Sequence, residues 1–195
     1  MERNQGDVWR QTRGLECRKE EITMEELKKK QVLLIQNLTS GNETLIISAL
    51  EAIPEDGSPE MLPSLIKLWV SNPKQEITNL IEKTLFNLKD PAVIPVLIDL
   101  LRSDEYASNR AAVMTVIWQS GLDVSQEVVL LTNIAIAGDY MTAFEAMTIL
   151  DHMEEFPEEP LQESIRMLEK AVQRKGDTQA LLLNLHQLLI DKLLD

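Results

Sequence analysis

The sequence predicts an all-α fold of stacked helical hairpins, an α-α superhelix, from three observations. First, a proline-marked unit returns after 32 residues: Ser58-Pro59-Glu60-Met61-Leu62-Pro63-Ser64-Leu65 reappears as Asp90-Pro91-Ala92-Val93-Ile94-Pro95-Val96-Leu97. A fixed period of this length marks units that cannot bury their apolar faces alone and lean on their neighbours. Second, triplets at i, i+4, i+8 align between repeats: Leu45, Ala49, Ile53; Ile77, Ile81, Leu85; Asn109, Val113, Ile117; Thr142, Ala146, Leu150. Each triplet lies on one helical stripe, expected to face the core. Third, the 195 residues are 44% hydrophobic with only 4% aromatic residues and 7 Gly, which suits a core of Leu, Ile, Val, Ala and Met and argues against a turn-rich β-sandwich.

Residues 1–22 have no sustained helical period and few apolar anchors, so a flexible tail is expected. An extension that folds back through Trp9 is the alternative. Helical structure is expected to start at Thr23 as N-cap, with Glu26 completing a capping box and Ile22 stapled to Leu27. The first pair of helices, 24–38 and 43–53, ends at Thr39-Ser40-Gly41-Asn42 and at Pro54-Glu55-Asp56-Gly57. Ser58-Pro59, Asn72-Pro73 and Asp90-Pro91 each place a side-chain acceptor at N-cap and proline at the first helical position, where no needed donor is lost. Asp123-Val124-Ser125-Gln126 opens a helix without proline, and Gly121, Gly138 and Gly176 fall at helix ends. The remaining pairs are then 59–71 with 73–88, 91–102 with 106–119, 124–137 with 139–153, and 158–174 with 177–194. One repeat domain, 23–195, is expected, with repeats 24–56, 57–89, 90–121, 122–155 and 156–195.

Lys+Arg 19 against Asp+Glu 32 gives a net charge of −13. Residues 1–30 carry 8 Lys/Arg and 7 Asp/Glu, which leaves 11 against 25 for the rest. Such a body repels phosphate, so neither nucleic acid nor an anionic membrane is expected as a ligand. Cys17 is the only cysteine, which rules out an intramolecular disulfide and a Cys-rich zinc site. The N-terminal residues lack an apolar signal region, and stretches such as Val128-Val129-Leu130-Leu131 are too short to span a bilayer; a cytoplasmic protein is expected. No Gly-rich phosphate loop, H-E-x-x-H or G-x-S-x-G occurs, and His152 and His186 lie in separate helices, with His186 expected at the surface. No catalytic residue and no cofactor are expected.

The run Asp90-Pro91-Ala92-Val93-Ile94-Pro95-Val96-Leu97-Ile98-Asp99-Leu100-Leu101 resembles the first helix of a HEAT repeat, in the short bacterial form related to PBS-lyase repeats. Asn109-Arg110-Ala111-Ala112-Val113 is similar to that family's second-helix opening, with Arg110 at the family's arginine position. The resemblance covers residues 24–195 and is clearest in the middle three repeats. Thr78 and Ala143 stand where the arginine is expected, and Val128 replaces the second proline in the fourth repeat, so the inter-repeat hydrogen bonding associated with that arginine is expected only around Arg110. The resemblance implies a right-handed HEAT-like solenoid that binds proteins, with second helices lining the concave side.

On that reading, the exposed face of the second helices presents Asn79, Lys83, Phe86 and Asn87, then Ala111, Thr115, Trp118 and Gln119, then Phe144, Thr148, Asp151 and His152. Phe86 and Trp118 share one repeat position and offer an anchor pair, because aromatic residues dominate interface hot spots; filling gaps between repeats is the alternative. Trp69, near the end of a first helix, reads as core. The candidate protein-binding residues are Phe86, Asn87, Thr115, Trp118, Gln119, Asp151 and His152. Asp151, Glu154, Glu155, Glu158 and Glu159 cluster around Phe156-Pro157, at a spacing that matches no zinc or calcium motif; they read as solvated charge. The last helix is leucine-rich almost all round, which points either to a homodimer contact or to cover by the preceding helix.

The expected function is therefore a non-enzymatic interaction module that takes a protein or peptide on its concave helices, basic partners being favoured. The alternatives are an accessory or lyase-like protein handling a small chromophore or cofactor, a base-modifying role that the charge argues against, and a structural homodimer through the C-terminal helix.

Overall fold

The computed structural model describes residues 24–173 and 175–194. The Thr23 cap, the Ile22 staple, Cys17, Trp9 and the tail 1–22 lie outside the described residues. Among the described residues ten α-helices follow one another: α1 Met24–Leu38, α2 Glu43–Asp56, α3 Leu62–Val70, α4 Gln75–Leu85, α5 Val93–Arg102, α6 Arg110–Ser120, α7 Val128–Ala137, α8 Tyr140–His152, α9 Glu158–Ala171 and α10 Gln179–Leu194. Short 3-10 turns at Pro59–Met61, Asp104–Asn109 and Ser125–Glu127 lead into α3, α6 and α7, and no strand occurs among the described residues.

The paired prolines explain why α3 and α5 begin later than expected. Proline has no N–H, so Pro63 cannot bond the carbonyl four residues back. The Pro59 carbonyl takes the Leu62 N–H instead, and Met61 N–H bonds Ser58 O at 3.1 Å, so the opening turn tightens to 3-10. The second copy repeats the solution: Pro95 leaves Pro91 O to Ile94 N–H at 3.0 Å, and Val93 N–H bonds Asp90 O at 3.1 Å. Asp90 caps this turn as expected, its Oδ1 accepting from Ala92 N–H at 2.9 Å.

Asn72 does not open α4. It stands at φ 56, the left-handed conformation that asparagine tolerates, and its N–H bonds Trp69 O at 3.1 Å, so it closes α3 and delays α4 to Gln75. Ser58 makes no side-chain cap bond. Gly121 is left-handed as a helix-ending glycine should be, with Leu122 N–H reaching Ile117 O at 3.2 Å. Gly138 differs, being extended at φ −84. Helix α2 runs on through Pro54, which at this late position removes only one donor.

Successive helices pack as hairpins around one continuous core that extends from Leu34 to Leu189. The expected stripe is buried at Ala49, Ile77, Ile81, Leu85, Val113, Ile117, Ala146 and Leu150, each worth roughly 1.5–3 kcal/mol for a large aliphatic side chain. Ile53, Asn109 and Thr142 are only half-buried, and Leu45 is exposed at 41%, with Ile46 turned inward in its place.

Stacking is uneven. Second helices adjoin in the order α2–α4 and α6–α8–α10, and first helices in the order α1–α3–α5 and α7–α9. Between α4 and α6 the second helices barely meet, and hairpins two and three are joined instead through α3 against α5 and α6. At the next junction α5 and α7 barely meet, and α6 against α8 carries the packing. The single unbroken inner row implied by the sequence is thus interrupted once, after α4.

Polar ties cross these junctions. Lys74–Glu43 at 2.8 Å, Lys67–Glu105 at 2.6 Å and Arg102–Glu127 at 2.8 Å are largely exposed pairs, each worth about 0–1 kcal/mol. The Tyr106 hydroxyl donates to Pro63 O at 3.2 Å, and burial raises the pKa of this phenol. Two lysines close helix ends in other hairpins: Lys89 Nζ donates to Ser120 O at 2.6 Å, and Lys192 Nζ to Asp151 O at 2.9 Å and Met153 O at 2.6 Å. They satisfy orphan carbonyls where the helix dipole favours a cation. Arg110 Nε donates to Leu101 O at 2.9 Å, so its bond ties α6 to α5 within one hairpin rather than joining repeats.

Among the described residues three buried side-chain atoms lack partners: Ser58 Oγ, Thr132 Oγ1 and His186 Nε2. Thr132 is fully buried on α7 and its Oγ1 makes no hydrogen bond. Thr132→Val keeps the shape and removes the desolvated hydroxyl, so a gain of about 1 kcal/mol is expected from urea unfolding. His186 is half-buried with Nε2 enclosed and unpartnered, not at the surface as its sequence position suggested, because α10 packs against both α8 and α9. Those contacts bury Leu181, Leu182, Leu185 and Leu189, and leave Leu183, Leu193 and Leu194 exposed.

Candidate protein-binding face

The seven expected residues divide into two groups. Phe86 caps the end of α4, half-buried, with its ring edge-on to Trp69 at 5.6 Å between centroids. Trp69 Nε1 in turn donates to Glu82 Oε1 at 3.3 Å. The Phe86 ring therefore fills a gap between α3 and α4. Asn87 is exposed and its Nδ2 donates to Lys83 O at 2.7 Å. It lines a cleft of about 720 Å³ whose walls include Leu50, Ile53, Pro54, Leu80 and Leu88.

The second group lies on α6 and α8. Thr115 is half-buried, its hydroxyl returned to Ala111 O at 3.0 Å. Trp118 is half-buried and Gln119 exposed. Trp118 and His152 come together across the two helices, ring centroids 6.2 Å apart and tilted by 30°. His152 Nδ1 is 2.7 Å from Thr148 O, and since a carbonyl only accepts, Nδ1 carries the proton in this contact. Asp151 is exposed, and its backbone carbonyl is the one held by Lys192. The structure brings Trp118 to His152 and not to Phe86, because α4 and α6 part between the two aromatics.

Two features were missed by sequence reasoning. Glu145 is only 9% exposed and its Oε2 accepts from Trp118 Nε1 at 2.6 Å, tying hairpin three to hairpin four. A signal existed, because the repeat alignment puts Glu145 at the position of Leu80 and Ala112, an acid where the two preceding repeats are apolar. The second is a cluster of exposed apolar side chains at the start of α8: Tyr140 54%, Met141 53% and Phe144 40% exposed. Phe144 was on the expected face, while Tyr140 and Met141 fall outside the stripe template. Asp139 caps this end of α8, its Oδ1 accepting from Thr142 N–H at 2.8 Å; that bond lowers the carboxyl pKa below its ordinary value.

Among the described residues, no group of three or more His, Cys, Asp or Glu side chains is disposed to hold a metal ion, and no helix is long and apolar enough to cross a membrane.

Hairpins stacked around one core, second helices side by side over part of their length and apolar side chains left facing outward define an all-α solenoid of the kind that presents surface to other proteins. A family model for HEAT repeats matches residues 32–117, so this part of the chain is a HEAT-repeat segment and the fold is HEAT-like. No curated protein and no solved structure matches the chain. HEAT repeats are generally protein-interaction or scaffold modules.

Proposed function

We propose that the protein is a non-enzymatic, cytoplasmic interaction module that docks a protein or peptide on the outward face of α6 and α8. The observation that carries this reading is the Tyr140, Met141 and Phe144 cluster, exposed on a second helix one helix-length from the Trp118–His152 pair. Exposed apolar patches rimmed by polar residues are the usual mark of such a surface. The net charge of −13 favours basic partners and speeds their encounter.

The test is co-purification from the native source, with bound proteins identified by mass spectrometry, repeated for Tyr140→Ser with Phe144→Ser. A specific partner is expected with the unaltered chain and lost in the double variant, which keeps its helical circular dichroism because both side chains point to water. A partner retained at full yield by the double variant removes this face. Self-association through α10 is a second reading, favoured by the exposure of Leu183, Leu193 and Leu194. A monomer mass in light scattering removes it.

A further inference from the structure

We propose that the seam between α6 and α8 receives an arginine side chain of a polypeptide partner, lodged against Trp118 and Glu145. The proposal rests on the interaction reading above and names the chemistry of its anchor. Glu145 is nine-tenths buried, yet among the described residues no Lys, Arg or His forms an ion pair with it. The more exposed Glu43, Glu105 and Glu127 each have a cation. Among the described residues the one hydrogen bond to the Glu145 side chain comes from a neutral donor, Trp118 Nε1. A carboxylate so largely withdrawn from water without a countercharge is held at a cost that an incoming cation relieves.

Access and shape agree with that occupant. Among the described residues Glu145 Oε1 takes no hydrogen bond, and it is not one of the sealed, unpartnered atoms, so it still reaches solvent. The indole beside it is only half-buried, and Asp151 stands exposed at the end of the same helix. A guanidinium is planar, stacks on an aromatic ring and donates in its own plane to a carboxylate; a lysine ammonium has no such plane. Indole and carboxylate are here joined by a 2.6 Å bond, which fixes their mutual geometry before anything binds.

The experiment titrates the full chain with acetyl-Leu-Arg-Leu amide and follows the Trp118 indole N–H resonance, assigned through Trp118→Phe. The arginine peptide is expected to move that resonance saturably, the lysine peptide more weakly, and the isosteric, uncharged citrulline peptide not at all. Glu145→Gln keeps an acceptor for the indole and should weaken arginine-peptide binding by about tenfold or more. Equal binding of citrulline and arginine peptides overturns the proposal, and that comparison needs no variant to fold. Binding unchanged in Glu145→Gln overturns it as well, and free L-arginine bound as tightly as the peptide would reassign the site to a small molecule. A native partner kept by Glu145→Gln but lost in Tyr140→Ser with Phe144→Ser leaves the interaction face standing without an arginine anchor. Arginine-peptide binding with no loss of partner in the double variant does the reverse.

Discussion

Ile117→Ala should destabilise the protein by about 2–5 kcal/mol, the cost of emptying a buried aliphatic site. Ile117 is fully buried on α6, and its carbonyl also receives the Gly121 and Leu122 N–H groups that close the helix. Against a total stability of about 5–15 kcal/mol for a typical domain, this is a large fraction. The effect should also change the shape of unfolding. Helix α6 contacts α3, α5 and α8: it carries the junction of hairpin three with hairpin four, where α5–α7 barely meet, and shares with α5 the junction with hairpin two. Loosening it should separate the transition of the first two hairpins from that of the last two. Urea unfolding followed by circular dichroism and by tryptophan fluorescence should then give curves that no longer coincide. Coincident curves with a midpoint like that of the unaltered chain would show that α6 does not hold the two parts together.

Gly138→Ala should cost about 1–3 kcal/mol, the usual penalty of forcing an extra carbon into a filled space. The backbone there is extended, so φ imposes no strain; the obstacle is contact. A Cβ at this position would lie 2.6 Å from Thr142 Cγ2, 2.7 Å from Thr142 Cβ and 2.8 Å from Ile134 O. One of these is backbone at the end of α7, held by the Gly138 N–H bond at 2.9 Å, and it cannot swing aside like a side-chain tip. Gly176→Ala is the control, because its Cβ would meet nothing within 4 Å and the change should stay within about 0.5 kcal/mol. Thermal melts of the two variants decide the matter; equal melting temperatures would mean that α8 shifts freely against α7.

The hairpin order was legible in the sequence because its signals are local. Proline pairs spaced by four residues, Asp90 as a cap and the period of the buried stripe all act within one helix or one turn. What escaped depends on neighbours. Asn72 reads as an N-cap from its place before Pro73, but the end of α3 required a left-handed residue first, and asparagine filled that role. Leu45 fits the stripe yet is exposed, while Ile46 beside it is buried in its place. Phe86 and Trp118 share a repeat position, yet one packs on Trp69 and the other on His152. Repeat alignment carries no information on how far successive hairpins splay, and the parting of α4 from α6 decides that difference.

The uninterrupted run α6–α8–α10 also sets a ruler for whatever lies across it. Two steps between neighbouring axes, at roughly 8–10 Å each, span nearly 20 Å. An extended strand crosses that distance in about six residues at roughly 3.3 Å apiece. A helix laid the same way needs about thirteen at roughly 1.5 Å. A short linear segment therefore exhausts this breadth, and a longer polypeptide must turn away or continue past the gap onto α4.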